Sequence, residues 1–160
     1  MTIQTGDRLP SAKLVKVTSD GPDQVSTDDY FAGRKVALFA VPGAFTPTCS
    51  ARHLPGFVER AAAFRAKGVD EVACTAVNDA FVLSAWAKAN DVGDKVTMLA
   101  DGNGDFARAL GLDSDASAFG MGLRSKRYAM LVDDGVVRAL HVEQPGAFEV
   151  SSAENLLADL

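Results

Sequence analysis

Apolar positions along the chain fall into short blocks separated by Gly, Pro, Asn and Asp. Residues 36–40 form an unbroken apolar run, which predicts a central strand covered on both faces. Residues 71–77 and 96–100 read as two further strands. Residues 12–18 alternate weakly and predict an edge strand, followed by a turn at Gly21-Pro22-Asp23. Residues 26–31 fit a short helical turn. Leu54, Phe57, Val58, Ala61 and Phe64 recur at helical spacing. They predict a helix from about Thr48 to Lys67, kinked at Pro55, which lacks a ladder donor, and stopped at Gly68. Residues 80–89 carry Val82, Leu83 and Trp86 on one helical face behind Asn78-Asp79, and residues 104–110 predict a short helix. Residues 111–126 include Gly111, Gly120 and Gly122, show little periodicity and read as the longest irregular stretch. Residues 128–132 and 136–142 flank Asp133-Asp134-Gly135, a hairpin signal. Ser151-x-x-Glu154 reads as a capping box opening a terminal helix.

Strands alternating with helices and then a hairpin predict an α/β fold whose mixed central sheet is parallel early and antiparallel late. The 160 residues suit one domain over 1–160. Composition is globular, with 48% apolar and 23% charged residues. A net charge of −5 argues against a nucleic-acid or anionic-membrane partner. The polar start of the chain has no signal-peptide core, and two cysteines make no disulfide framework. Together these features lead us to expect a cytoplasmic location.

The stretch richest in chemistry is Pro42-Gly43-Ala44-Phe45-Thr46-Pro47-Thr48-Cys49. It places Cys49 where a strand passes through a Pro- and Gly-rich loop into a helix. The N–H groups and positive end of a first helical turn favour an anion, so a thiol there ionises more easily. The Thr46 hydroxyl, three residues earlier, is within reach of the sulfur or of a bound substrate. Pro42 and Pro47 stiffen the loop. Cys74 lies mid-strand and reads as an inert core thiol. His53, four residues after Cys49, reads as a packing side chain, a base for the thiol or a metal ligand. The chain offers too few further ligands for the metal reading, so no metal and no cofactor is expected. His141 reads as structural. The run Arg124-Ser125-Lys126-Arg127 is either a solvated basic patch or the source of a cation for Cys49, with Arg127 nearest the following strand. Asp101 and Asp105 read as helix caps and solvated charge.

The 42–50 segment, with His53-Leu54-Pro55-Gly56-Phe57, Val77-Asn78-Asp79-Ala80-Phe81, Leu99-Ala100-Asp101 and Arg124-Ser125-Lys126-Arg127-Tyr128, closely resembles peroxiredoxins of the type II, or type five, class. The likeness covers nearly the whole chain. It implies a thioredoxin-like fold and a thiol peroxidase acting on hydrogen peroxide and alkyl hydroperoxides. It further implies Cys49 as peroxidatic cysteine, Thr46 as the hydroxyl that orients peroxide, Arg127 as the cation beside the sulfur and Pro42 as a shield. Thr48, Pro47 and Phe119 would border the substrate, Thr48 and Cys49 through their backbone N–H groups. The resemblance also implies a homodimer formed around these loops. Residues 75–160 contain no cysteine, so the resolving thiol that some relatives carry near the C-terminus has no counterpart. An external thiol, from glutathione and glutaredoxin or from thioredoxin, is the expected reductant. A thiol–disulfide oxidoreductase and a non-catalytic interaction protein on the same fold are the rival readings; the lack of a Cys-x-x-Cys pair counts against the first.

Overall fold

A computed structural model describes residues 2–160, and at Cys49 the backbone alone. Strands β1 (Lys13–Thr18) and β2 (Gly21–Ser26) precede the short helix α1 (Thr27–Phe31). Strand β3 (Lys35–Ala40) leads through a loop into a π-helical turn, Cys49–His53, and helix α2 (Leu54–Ala66). Then come β4 (Glu71–Ala76), α3 (Ala80–Ala89), β5 (Thr97–Ala100) and α4 (Asp105–Leu110). Strands β6 (Asp113–Asp115) and β7 (Leu123–Ser125) pair as a small second sheet. The chain closes with β8 (Tyr128–Asp133), β9 (Val136–Val142) and α5 (Ala153–Leu157).

The main sheet runs β2-β1-β5-β4-β3-β8-β9. Strands β3, β4 and β5 are parallel neighbours, and the other pairings are antiparallel. This is the mixed, helix-flanked sheet expected of a thioredoxin-like fold. Strand β3 is buried on both faces. Ala37 and Phe39 join one core with Phe57, Phe64, Leu83, Trp86 and Leu156, while Val36 and Leu38 join another with Phe31, Phe106 and Tyr128. Phe57 stacks on Phe39 at 4.0 Å between ring centres. Its truncation to Ala would cost about 3–5 kcal/mol. At the end of the sheet where β3 and β4 begin, Glu71 accepts hydrogen bonds from Tyr30 (2.6 Å) and Thr97 (2.5 Å) and pairs with Arg34 at 2.9 Å. That polar knot closes one end and leaves the opposite end, where β3 and β4 finish, for the chemistry.

Four local expectations are corrected. Strand β1 is interior, and β2 is the edge; the turn is Ser19-Asp20, between Thr18 and its partner Gly21. Pro22 is tolerated because an edge strand has no further neighbour to receive an N–H. Residues 111–126 are partly ordered as β6 and β7, short and mostly polar strands that pair with each other, with Asp115 opposite Leu123, and show no apolar alternation. The predicted kink at Pro55 takes the form of a π-helical turn just before it. Pro55 has no N–H to return to the carbonyl of Ala51, so the α ladder starts afresh there. The terminal helix is capped by Ser152, which accepts from Asn155 N, and not by Ser151. Gly68 does end α2, with Val69 N on Phe64 O and Gly68 N on Arg65 O, both 3.1 Å.

Candidate active site

The loop after β3 is tied down before it reaches Cys49. Val41 N donates to Thr75 O at 3.2 Å, and Ala44 N donates to the Asn78 side-chain oxygen at 3.0 Å. Phe45 sits at φ 66°, in the left-handed region, and turns the chain sharply. Thr46 then donates its hydroxyl to Gly43 O at 2.7 Å, and its own carbonyl accepts Ser50 N at 3.0 Å. Thr46 is therefore the residue that opens the helix, and Pro47 takes the first helical position, where a missing N–H costs nothing. Thr48 and Cys49 follow in the first turn, where backbone N–H groups have no carbonyl partner within the helix. The Ser50 hydroxyl accepts Trp86 Nε1 at 2.9 Å, which anchors this turn to α3. Pro42 lies half-buried between Val41 and Gly43. The side chain of Cys49, the expected nucleophile, lies outside the described residues.

Gly43 marks a close approach. A Cβ there would lie 3.1 Å from Arg124 Nη1 and 3.5 Å from the Met121 methyl group. Arg124 donates through Nε to Met121 O at 2.9 Å and through Nη1 to Val77 O at 3.4 Å. It staples the 116–122 loop to the end of β4.

Arg127 enters from the opposite side. Its Nη1 lies 2.9 Å from Nδ1 of His53, the last residue of the π-helical turn that Cys49 begins. The guanidinium thus sits one turn along from Cys49, on the β8 side that also carries Ala129 into the α2-side core. His53 is fully buried, and its Nε2 lies 2.9 Å from Ser151 O. A guanidinium only donates and a carbonyl only accepts, so His53 is neutral with its proton on Nε2. Burial, and then the Arg127 charge, push its pKa down to about 3. Both ring nitrogens are engaged, which leaves none to act as a base on the thiol or as a ligand. Phe148 covers the pair, its ring centre 5.0 Å from that of His53, with the Arg52 guanidinium over it at 4.7 Å.

The remaining residues singled out by the sequence lie outside these contacts. Phe119 projects into solvent, 82% exposed, from a 3-10 turn, Ser117–Phe119. Cys74 is fully buried in β4. Asp101 accepts from Phe106 N and Ala107 N and so caps α4, and His141 meets Asp159 at the surface. Nothing in the sequence singles out Glu143 or Phe148, and Ser151 reads there as a helix cap. The cues to that segment are this capping pattern and the Pro145-Gly146 turn signal beside Glu143.

The chain matches the Redoxin family model over residues 4–157. It is 53% identical to Peroxiredoxin-2E-2, chloroplastic, of Oryza sativa, over 99% of this chain and 73% of that protein. Against Peroxiredoxin-2B of Arabidopsis thaliana it is 45% identical, over 99% and 98% respectively. The crystal structure of reduced Prx3 from Vibrio vulnificus in complex with hydrogen peroxide superposes with a TM-score of 0.94 at 52% identity, covering 98% of each chain.

Proposed function

The chain belongs to the redoxin family and is a peroxiredoxin, a thiol-dependent peroxidase, and from that premise we propose that Cys49 is its peroxidatic thiol. The observation that carries this reading is the Arg127 guanidinium fixed on His53, within the helical turn that Cys49 opens. A cation and a helix start act together on one position. Such surroundings bring cysteine pKa values to about 3.5–7.5.

The Cys49 thiolate attacks one oxygen of hydrogen peroxide or an alkyl hydroperoxide. A sulfur–oxygen bond forms and the oxygen–oxygen bond breaks. The departing hydroxide or alkoxide takes up a proton and leaves as water or alcohol, and Cys49 becomes a sulfenic acid. Thr46 and the N–H groups of Thr48 and Cys49 orient the peroxide and, with Arg127, stabilise charge on the departing oxygen. Pro42 and Pro47 hold the loop rigid around this pocket. An external thiol, from glutathione with glutaredoxin or from thioredoxin, then condenses with the sulfenic acid and releases water. A second thiol frees Cys49 and leaves the donor as a disulfide. The burial of Cys74 supports an outside donor.

The test is direct. Reduced wild type mixed with one equivalent of hydrogen peroxide should lose one thiol rapidly, at Cys49 by mass spectrometry. Cys49→Ser should have no peroxidase activity, because a serine hydroxyl stays protonated. Activity retained in that variant, free of catalase, would overturn the assignment.

A further inference from the structure

The segment after β9 folds back over His53, and a buried carboxylate holds it there. Glu143 is 6% exposed. Its Oε2 accepts from the N–H groups of Glu149 (2.9 Å), Val150 (2.8 Å) and Ser151 (2.7 Å) and from the Ser151 hydroxyl (2.7 Å). Its Oε1 shares the Glu149 N–H at 2.9 Å. Every partner is a donor, which only the ionised carboxylate can satisfy throughout. Burial alone would raise its pKa; the Ser151 hydroxyl and these amides outweigh that and hold it below the ordinary value. Among the described residues no ion pair includes Glu143. Its charge is met by oriented N–H and O–H dipoles, not by a cation.

The contacts form a closed circuit that begins and ends at Arg127. Arg127 O accepts the Glu143 N–H at 2.9 Å. The Glu143 carboxylate fixes Ser151, and Ser151 O accepts the His53 Nε2–H at 2.9 Å. With its proton held on Nε2, His53 presents a bare Nδ1 to Arg127 Nη1. Each link sets the donor or acceptor sense of the next. An acceptor at His53 Nδ1 is what the guanidinium requires, and a protonated Nδ1 would repel it.

We infer that Glu143 is a positioning residue for the peroxidase reaction: through Ser151 it fixes the His53 tautomer and thereby the direction in which Arg127 delivers its charge. The inference rests on the reading that Arg127 stabilises the Cys49 thiolate. In Glu143→Gln an NH₂ group faces the amides of the 149–151 turn, and a single oxygen remains for four donor groups. Ser151 O moves off His53, the imidazole populates its other tautomer and Arg127 turns away.

The experiment compares wild type, Glu143→Gln, Glu143→Asp, Ser151→Ala and Arg127→Met, each checked for native circular dichroism. Three readouts are taken: ¹⁵N shifts of the imidazoles, the pH midpoint of Cys49 alkylation and the second-order rate with hydrogen peroxide. The chain has only two histidines, so the His53 signals are assignable. Wild type should show the Nε2–H tautomer alone. Glu143→Gln should show mixed tautomers, an alkylation midpoint moved up towards that of Arg127→Met, and a peroxide rate lower by about tenfold, the size of effect expected when an outer hydrogen-bond partner is removed. Glu143→Asp keeps the charge and should recover part of each. A raised midpoint in Arg127→Met with an unchanged midpoint and tautomer in folded Glu143→Gln overturns the inference and leaves the role of Arg127 standing. An unchanged midpoint in Arg127→Met overturns that role, while the tautomer still reports on Glu143. Should Glu143→Gln not fold, Glu143→Asp decides: its carboxylate is drawn back from the 149–151 turn, and a tautomer and midpoint identical to wild type overturn the inference.

Discussion

His53 accepts a hydrogen bond at Nδ1 from the Arg127 guanidinium, 2.9 Å away, although the two residues are 74 positions apart in the chain. A histidine beside a reactive cysteine invites the reading of a base. The buried ring stays neutral and is too weak a base for that role, because burial and the adjacent cation both disfavour its protonated form.

This gives a pH dependence with a defined sign. The His53 pKa is about 3 in the fold against an ordinary 6.5. Between those values the unfolded chain binds a proton that the folded chain does not, so stability rises with pH by up to about 1.4 kcal/mol per unit. Acidification from pH 6.5 towards 5 should lower the urea midpoint of wild type more steeply than that of His53→Gln. The upper part of this window lies above the range in which Glu71 and Glu143, both shifted down, begin to protonate. Parallel slopes in the two proteins would contradict a neutral buried His53.

The two arginines of the 124–127 run separate cleanly. Arg127 meets the π-helical turn, whereas Arg124 is occupied by Met121 O and Val77 O. Arg127→Met should raise the Cys49 alkylation midpoint and slow peroxide attack at neutral pH. Arg124→Met should leave that midpoint nearer wild type and act on the 116–122 loop. The loss of a hydrogen bond to a charged group, about 1.5–3 kcal/mol, sets the scale for Arg127. Equal shifts in pH-dependent alkylation would show that the wrong arginine had been chosen.

The parts legible in the sequence are those in which a local pattern dictates the result. Residues 36–40 have nothing polar to place, so β3 is central. Asp79 accepts Val82 N and starts α3 where its sequence predicts. Asp134 and Gly135, at φ 49° and 79°, make the hairpin that Asp-Gly announces. Strand β2 was hidden because Gly21-Pro22 punctuates a turn in most settings, and only its edge position lets Pro22 sit in a strand. The Glu143 circuit was hidden for a different reason. Most of its partners are backbone amides, which every sequence carries, and Ser151 lies 98 residues from the His53 it serves. Ser151 also imitates a helix cap one position too early.

Association into a dimer is the next expectation. Phe45, Phe81 and Phe119 are 56%, 74% and 82% exposed. Phe45 and Phe81 follow the ends of the adjacent parallel strands β3 and β4, and Phe119 lies on the loop whose Met121 approaches Gly43. Burial of one such ring gives about 1.5–3 kcal/mol, or roughly tenfold to hundredfold in affinity. Phe81→Ala and Phe119→Ala should each weaken dimerisation by about that factor in analytical ultracentrifugation. A wild-type monomer at micromolar concentration, reduced, would refute the dimer.

Regeneration of Cys49 turns on where Cys74 sits. It is fully buried in β4, paired across the sheet with Phe39 of β3 and Met98 of β5. Cys49 begins a turn nine residues past the end of β3, anchored by Trp86 through Ser50. A disulfide requires Cα atoms about 4.4–6.8 Å apart with suitably aimed side chains. Unwinding of the first helical turn would carry Cys49 outward, away from β4 and towards an external thiol. Turnover should therefore not depend on Cys74. Alanine is the cleaner replacement, because a serine would bury a hydroxyl beside Thr75, whose buried Oγ1 already has no hydrogen-bond partner among the described residues. Cys74→Ala should retain turnover with glutathione and glutaredoxin, or with thioredoxin. Peroxide-treated wild type should carry a sulfenic acid or a glutathione adduct on Cys49 by intact mass. A loss of about two mass units mapping to a Cys49–Cys74 bridge, joined to lost turnover in Cys74→Ala, would establish an internal resolving thiol instead.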